Sequence, residues 1–242
     1  MRYRSLYIHS IKNKFSKFLD LIYPPLCFNC KQKLTEKSIL CEKCKNKLNF
    51  LDENICFICK KKSTYNGICE DCKRKFPFDG FVSIFKFNPV MQSMIHNFKY
   101  KEYQKIGKYL SSFLAKRLEQ SKFIYTIDFV VPVPLHKVKR RERGFNQALI
   151  ISRNLSKILQ IDLLKDFVKR KKFTATQTNL SRAERKQNVA GAFCVKNKEN
   201  VHGQNFLLVD DVFTTGSTIS SITQELKNNG ADKVFCATLA RA

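Results

Sequence analysis

Apolar positions along the chain change rhythm several times, and each change predicts an element. Residues 81–87 form a nearly continuous apolar run after the turn signals Pro77 and Asp79-Gly80, which reads as a strand. Residues 89–98 and 104–119 switch to helical spacing, with Ile106, Tyr109, Leu110, Phe113, Leu114 and Leu118 on one face of the second. His96, alone on the first of these helices, reads as structural. An apolar strand over 129–133 runs into Pro134-Leu135-His136, followed by a basic segment, 137–143, and an apolar helix, 148–159. Further strands are predicted at 167–169, 206–209 and 234–239, with a helix at 219–228 that ends in Asn229-Gly230. Such alternation predicts an α/β class: a mainly parallel sheet flanked by helices, with its ligand at the carboxyl ends of the strands.

The front of the chain has a different texture. Residues 1–26 are basic, with Ile8, Ile11, Phe15, Phe18, Leu19 and Ile22 at spacings that fall on one helical face. An amphipathic helix follows from this, packed on its own protein or, alternatively, on a membrane surface. Asp20 interrupts the only apolar run here and no small-residue cleavage site follows, so a secretory signal is not expected. Nor does any run reach the length that a bilayer span needs. The 242 residues suit one ordinary domain and a small module: helix 1–26, cysteine-rich module 27–76, α/β domain 77–242.

Eight of the ten cysteines form four Cys-x-x-Cys pairs: Cys27/Cys30, Cys41/Cys44, Cys56/Cys59 and Cys69/Cys72. Two residues between thiolates let a tight turn aim both sulfurs at one tetrahedral ion, and two such turns complete a four-thiolate site. Sequential pairing gives one zinc ion to Cys27, Cys30, Cys41 and Cys44 and another to Cys56, Cys59, Cys69 and Cys72; interleaved pairing satisfies the same spacings. A disulfide framework competes, but a cysteine-poor domain of ordinary size fits a reducing cytoplasm better. Closed sites of this kind are structural, because metal binding supplies folding energy that so small a module cannot draw from a core. Cys194 and Cys236, in strand-like runs, read as small buried residues.

The formal charge of +25 suits polyanionic partners, whether nucleic acid, phosphorylated small molecules or acidic lipid. Lysines crowd the cysteine module at Lys31, Lys33, Lys43, Lys45, Lys47, Lys60, Lys61 and Lys62, interleaved with Phe28, Phe57 and Tyr65. That pattern serves a nucleic-acid surface or a solvated ribbon equally well. Arginine is more specific, since its planar fork grips phosphate in two places. Seven of the twelve, Arg140, Arg141, Arg143, Arg153, Arg170, Arg182 and Arg185, cluster in one stretch and point to phosphate contacts there.

A second phosphate signal is the loop Thr214-Thr215-Gly216-Ser217-Thr218, whose small residues let backbone N–H groups close round a phosphate ahead of a helix. Asp210 and Asp211 just before it cannot bind that phosphate. They suit the adjacent hydroxyls of a sugar and, through them or through water, Mg2+. Phosphate, diol and metal together describe a phosphorylated ribose.

The stretch Leu207-Leu208-Val209-Asp210-Asp211-Val212-Phe213, with the loop after it, resembles the signature of type I phosphoribosyltransferases. Val131-Pro132-Val133-Pro134, Arg143-Gly144-Phe145-Asn146-Gln147, Thr176-Gln177, Leu180, Arg185, Asn188 and Ala192-Phe193 narrow the resemblance to the ComF family, whose pattern includes the cysteine pairs. The resemblance implies a type I phosphoribosyltransferase fold after a double zinc ribbon, with 5-phosphoribosyl 1-pyrophosphate (PRPP) as ligand. It implies that Thr214, Thr215, Gly216, Ser217 and Thr218 cradle the 5-phosphate and that Asp210 and Asp211 position the ribose and Mg2+. Val133, Pro134 and Leu135 would form the pyrophosphate loop, beside the basic segment of Arg140, Arg141 and Arg143. Residues 171–188 would be a hood, closing Lys171, Lys172, Arg182 and Arg185 over the pyrophosphate. A threonine at 214, where purine-salvage members carry an acidic residue, argues against purine transfer by that route. The implied role is cytoplasmic, in DNA uptake and natural transformation, with single-stranded DNA and DNA-uptake proteins as partners. The alternative is a working Mg2+-dependent transferase that releases pyrophosphate to an unidentified acceptor.

Overall fold

The structure is a computed structural model that describes residues 24–34, 38–63, 67–100, 104–171 and 191–242. Most of the expected helix over 1–26 therefore lies outside the described residues, as does Tyr65. Leu26 already belongs to the first cysteine turn, bridging Lys33. The chain divides into two compact units, one ending at Leu48 and the other running Asn49–Ala242.

In chain order the elements are helices Glu42–Lys45 (α1) and Glu70–Lys75 (α2), strand Gly80–Lys86 (β1), helices Pro89–Phe98 (α3) and Gln104–Glu119 (α4), and strand Phe129–Pro132 (β2). Helices Lys137–Arg143 (α5) and Gln147–Leu159 (α6) follow, then strands Asp162–Leu163 (β3), Val168–Arg170 (β4), Phe193–Val195 (β5) and Phe206–Phe213 (β6). Helix Ser217–Asn228 (α7) and strand Val234–Arg241 (β7) close the fold. Five strands form a sheet in the order β1-β7-β6-β2-β3, every neighbouring pair parallel. Phe206, Leu207, Leu208 and Val209 are all fully buried, as a central parallel strand covered on both faces requires.

Three sequence expectations change. β6 does not stop at Val209: Asp210 pairs with Thr238, Val212 with Ala240 and Phe213 with Arg241, so the ladder to β7 carries the strand through two poor strand formers. The strand expected at 167–169 pairs antiparallel with β5, outside the main sheet. The basic segment 137–143 is a helix, hidden from apolar periodicity because it buries no side chain.

Caps fix the helix starts that matter for the ligand end. The His136 ring accepts from the Val138 N–H at 3.2 Å, and Gly144, at φ 72°, ends α5. The Asn146 carboxamide accepts from the Ala148 N–H at 3.1 Å, starting α6, and donates to the Val133 carbonyl at 2.9 Å. One side chain thus ties the α6 start to the loop after β2.

The second cysteine module belongs to the larger unit and is built onto the free edge of β1. Leu51 N–H donates to the Ile84 carbonyl at 2.9 Å and Lys86 N–H to the Asn49 carbonyl at 2.8 Å, covering an edge that would otherwise be open. Arg117 of α4 donates to the Leu51 carbonyl at 3.1 Å and pairs with Glu53 at 3.0 Å. Arg241 of β7 donates to the Ile58 carbonyl. Gly67 sits at φ +70°, where an added Cβ would lie 2.1 Å from the Phe81 carbonyl oxygen.

Candidate functional site

The carboxyl ends of β1, β2 and β6 open into one cavity of about 440 Å³. Its walls bring together Val133, Pro134 and Leu135 after β2, Asp210 and Asp211 within β6, and Thr214, Thr215, Gly216, Ser217 and Thr218 leading into α7. Segments distant in sequence meet here because parallel strands deliver their following loops to one end of the sheet, with Arg170 added from the β4-β5 pair.

The turn into α7 depends on glycine. Gly216 caps the helix at φ 75°, and a Cβ there would meet the Phe213 ring at 2.7 Å and the Phe76 ring at 2.9 Å. Around it the Thr215 and Ser217 hydroxyls hydrogen-bond each other at 2.8 Å, and the Gly216 carbonyl accepts the helical bond from the Ser220 N–H at 2.8 Å.

The two carboxylates are held by the backbone beside them: Asp210 accepts from the Asp211 N–H at 2.9 Å and Asp211 from the Val212 N–H at 2.8 Å. Burial pushes the Asp210 carboxyl well above the usual carboxylate range, the Asp211 charge adds to that, and Arg170 opposes it. Cations share the cavity with them. Lys99, Lys139, Arg143 and Arg170 all line the cavity. Burial pushes the Lys139 ammonium down, and the neighbouring charges of Arg143, Arg170 and Lys99 push it further, against a weaker pull from Glu142. Cations this crowded repel one another until an anion arrives. The arrangement suits a ligand with several phosphate charges at one end and neutral hydroxyls at the other.

The basic segment divides its work. Arg143 lines the cavity, Arg140 turns to Asp166 at 3.4 Å, and Arg141 is exposed beside the neighbouring groove. Lys171 is exposed and not on the cavity wall, while Lys172, Arg182 and Arg185 lie outside the described residues. Lys99 escaped the sequence reading. It follows the last residue of a helix whose apolar face marks it as core, and nothing local reveals that this helix ends at the ligand side.

The eight paired cysteines gather in sequential sets, Cys27, Cys30, Cys41 and Cys44, and Cys56, Cys59, Cys69 and Cys72, each with its sulfurs within 4.8 Å of one another. The two first knuckles repeat the same backbone: Lys31 N–H donates to Cys27 O and Lys60 N–H to Cys56 O, both at 2.9 Å, with Lys31 and Lys60 at φ 61° and 67°. The Asn29 carboxamide donates to Cys44 Sγ at 3.3 Å and the Ile58 N–H to Cys56 Sγ at 3.4 Å. Burial raises Cys27, but backbone N–H groups of Cys30, Cys41 and Asn29 outweigh it and bring the thiol down to about 6. Four soft sulfurs with no further ligand position fit a structural zinc ion in each set.

Residues 18–73 match the Double zinc ribbon domain family and residues 99–242 the Phosphoribosyl transferase domain family. The chain is 33% identical over 226 residues to Competence protein F of Haemophilus influenzae, covering 89% of this chain and 96% of that one. It is 31% identical over 229 residues to DNA utilization protein YhgH of Escherichia coli, covering 90% of this chain and 100% of the relative. Competence protein ComFC of Bacillus subtilis is 28% identical over 216 residues, 84% of each chain.

Proposed function

The chain belongs to the ComF family of zinc-ribbon proteins with a phosphoribosyltransferase domain, and from that premise we propose that it binds PRPP with Mg2+, both positioned by Asp210 and Asp211, and acts in handling incoming DNA. The observation that carries the ligand is the convergence of Lys99, Lys139, Arg143 and Arg170 on a cavity that also holds two adjacent carboxylates and a glycine turn. A monophosphate would need far less positive charge.

In this reading Thr214, Thr215, Gly216, Ser217 and Thr218 take the 5-phosphate at the start of α7. Asp210 and Asp211 accept from the ribose hydroxyls. Val133, Pro134 and Leu135 hold the pyrophosphate, with the four cations countering its charge. The hood role of Lys171, Lys172, Arg182 and Arg185 rests on the family resemblance alone. Adjacent carboxylates and phosphate oxygens are the hard donors Mg2+ prefers, and the ion, when bound, neutralises part of the ligand charge.

The DNA role follows from the relatives' names, Competence protein F and DNA utilization protein, and from the charge of +25. Single-stranded DNA and the proteins of DNA uptake are the partners this reading implies, in the cytoplasm. A thermal-shift series tests the ligand. Mg2+ with PRPP at about 100 times its Kd is expected to stabilise the chain by about 2.7 kcal/mol, and Asp211→Asn to remove the effect. An equal shift in both proteins would contradict the assignment.

A further inference from the structure

Beside the phosphoribosyl cavity lies an open groove of about 540 Å³ lined by Lys99, Tyr100, Arg141, Glu142, Arg143 and Gly144. Lys99 and Arg143 line both, so the groove is the cavity's mouth. Tyr100 is 53% exposed, a large ring standing in water at the end of α3. Its backbone N–H donates to the Asn97 carbonyl at 2.9 Å, and its ring meets His96 edge-on at 5.7 Å. Three cations surround it against one carboxylate, Glu142. The side chains of Lys99, Arg141 and Arg143 have no hydrogen-bond or ion-pair partner among the described residues, in contrast to ribbon cations such as Lys45 with Glu42 at 3.3 Å and Lys61 with Asp71 at 3.1 Å.

We propose that this mouth is a seat for single-stranded DNA, with one base stacked on Tyr100 and the flanking phosphates on Lys99, Arg141 and Arg143. The inference rests on the reading of the cavity and of DNA as partner, and it moves the strand from the lysine-rich ribbons to the entrance of the PRPP site. An exposed ring among unpaired cations is the combination that binds unpaired bases without regard to sequence. Duplex DNA keeps its bases stacked on one another and offers no face to Tyr100. Exposure of Tyr100 also makes its substitution safe for folding.

The test uses the full zinc-loaded chain and a labelled oligothymidylate of about 16 nucleotides, followed by fluorescence anisotropy. Tyr100→Leu is expected to weaken binding about tenfold, with Tyr100→Phe close to the parent. Arg141→Gln is expected to flatten the slope of log affinity against log salt by about 0.7. PRPP binding, read by calorimetry, is expected to be unchanged in Tyr100→Leu. Equal affinity of the parent and Tyr100→Leu, equal affinity for duplex and single strand, or no oligonucleotide binding would overturn the seat while leaving the PRPP site intact. Tyr100-dependent oligonucleotide binding by a chain that ignores PRPP would support the seat and sink the phosphoribosyl reading instead.

Discussion

Charge is used in opposite ways at the seam of the second ribbon and at the cavity. At the seam the arginines are paired, Arg117 with the Leu51 carbonyl and Glu53 and Arg241 with the Ile58 carbonyl, and within the ribbon Lys61 has Asp71. At the cavity Lys99, Lys139 and Arg143 face one another and share space with Asp210, whose carboxyl burial pushes above the usual carboxylate range. Paired charge holds one part of the fold to another. Charge left facing its own sign destabilises the free protein and becomes favourable only when a ligand completes it.

The largest effect should come from the metal that the seam is built on. Cys56→Ser is expected to lower zinc content from two ions per chain to one and to remove metal binding energy on the order of 10 kcal/mol, with a clear drop in the urea midpoint of the larger unit. An unchanged midpoint would mean the ribbon rests on β1 without holding it.

A matched pair of substitutions sharpens the contrast. Arg117→Met should lose about 2 kcal/mol of stability, because it leaves the Leu51 carbonyl without its donor, and should leave PRPP affinity unchanged. Lys139→Met should do the reverse: stability equal to the parent or higher by up to about 1 kcal/mol, with PRPP bound roughly tenfold to a hundredfold more weakly. Loss of stability in both would show that the cavity cations are structural. Gly216→Ala should cost about 1–2 kcal/mol, from its left-handed backbone and the Phe213 ring, and should weaken PRPP as well.

The smallest effect is a pH dependence. With its pKa raised by burial and by Asp211, Asp210 keeps a proton in the folded state that the unfolded chain gives up above about pH 3.9. Its contribution to stability is therefore full below that pH and is lost as pH rises through the folded value. Urea titrations at stepped pH should show this fall in the parent and its absence in Asp210→Asn; parallel curves would contradict it.

Those contrasts also explain how far the sequence could be read. The 214–218 loop, Asp210 and Asp211 were legible because turn chemistry and ligand chemistry are local, and the Cys-x-x-Cys spacing marked eight cysteines as metal ligands. Sequential pairing was not legible, since spacing is equally satisfied by interleaving. Lys99 reaches the site only because α3 follows β1, whose parallel pairing with β7 sets the direction of that helix end. Arg117 reads as one more charge on a helix, and its place in the seam is decided by a carbonyl 66 residues away in sequence. The full length of β6 depends likewise on Thr238, Ala240 and Arg241 across the ladder, which outweigh the weak strand preference of two aspartates.

Crystals soaked with Mg2+ and PRPP give the most direct measurement. The account expects the 5-phosphate within hydrogen-bond reach of the 214–218 turn, the ribose hydroxyls on Asp210 and Asp211, and the pyrophosphate facing Lys99, Lys139 and Arg143. A ligand-free turn at saturating PRPP, or density for the compound anywhere else on the chain, would contradict it.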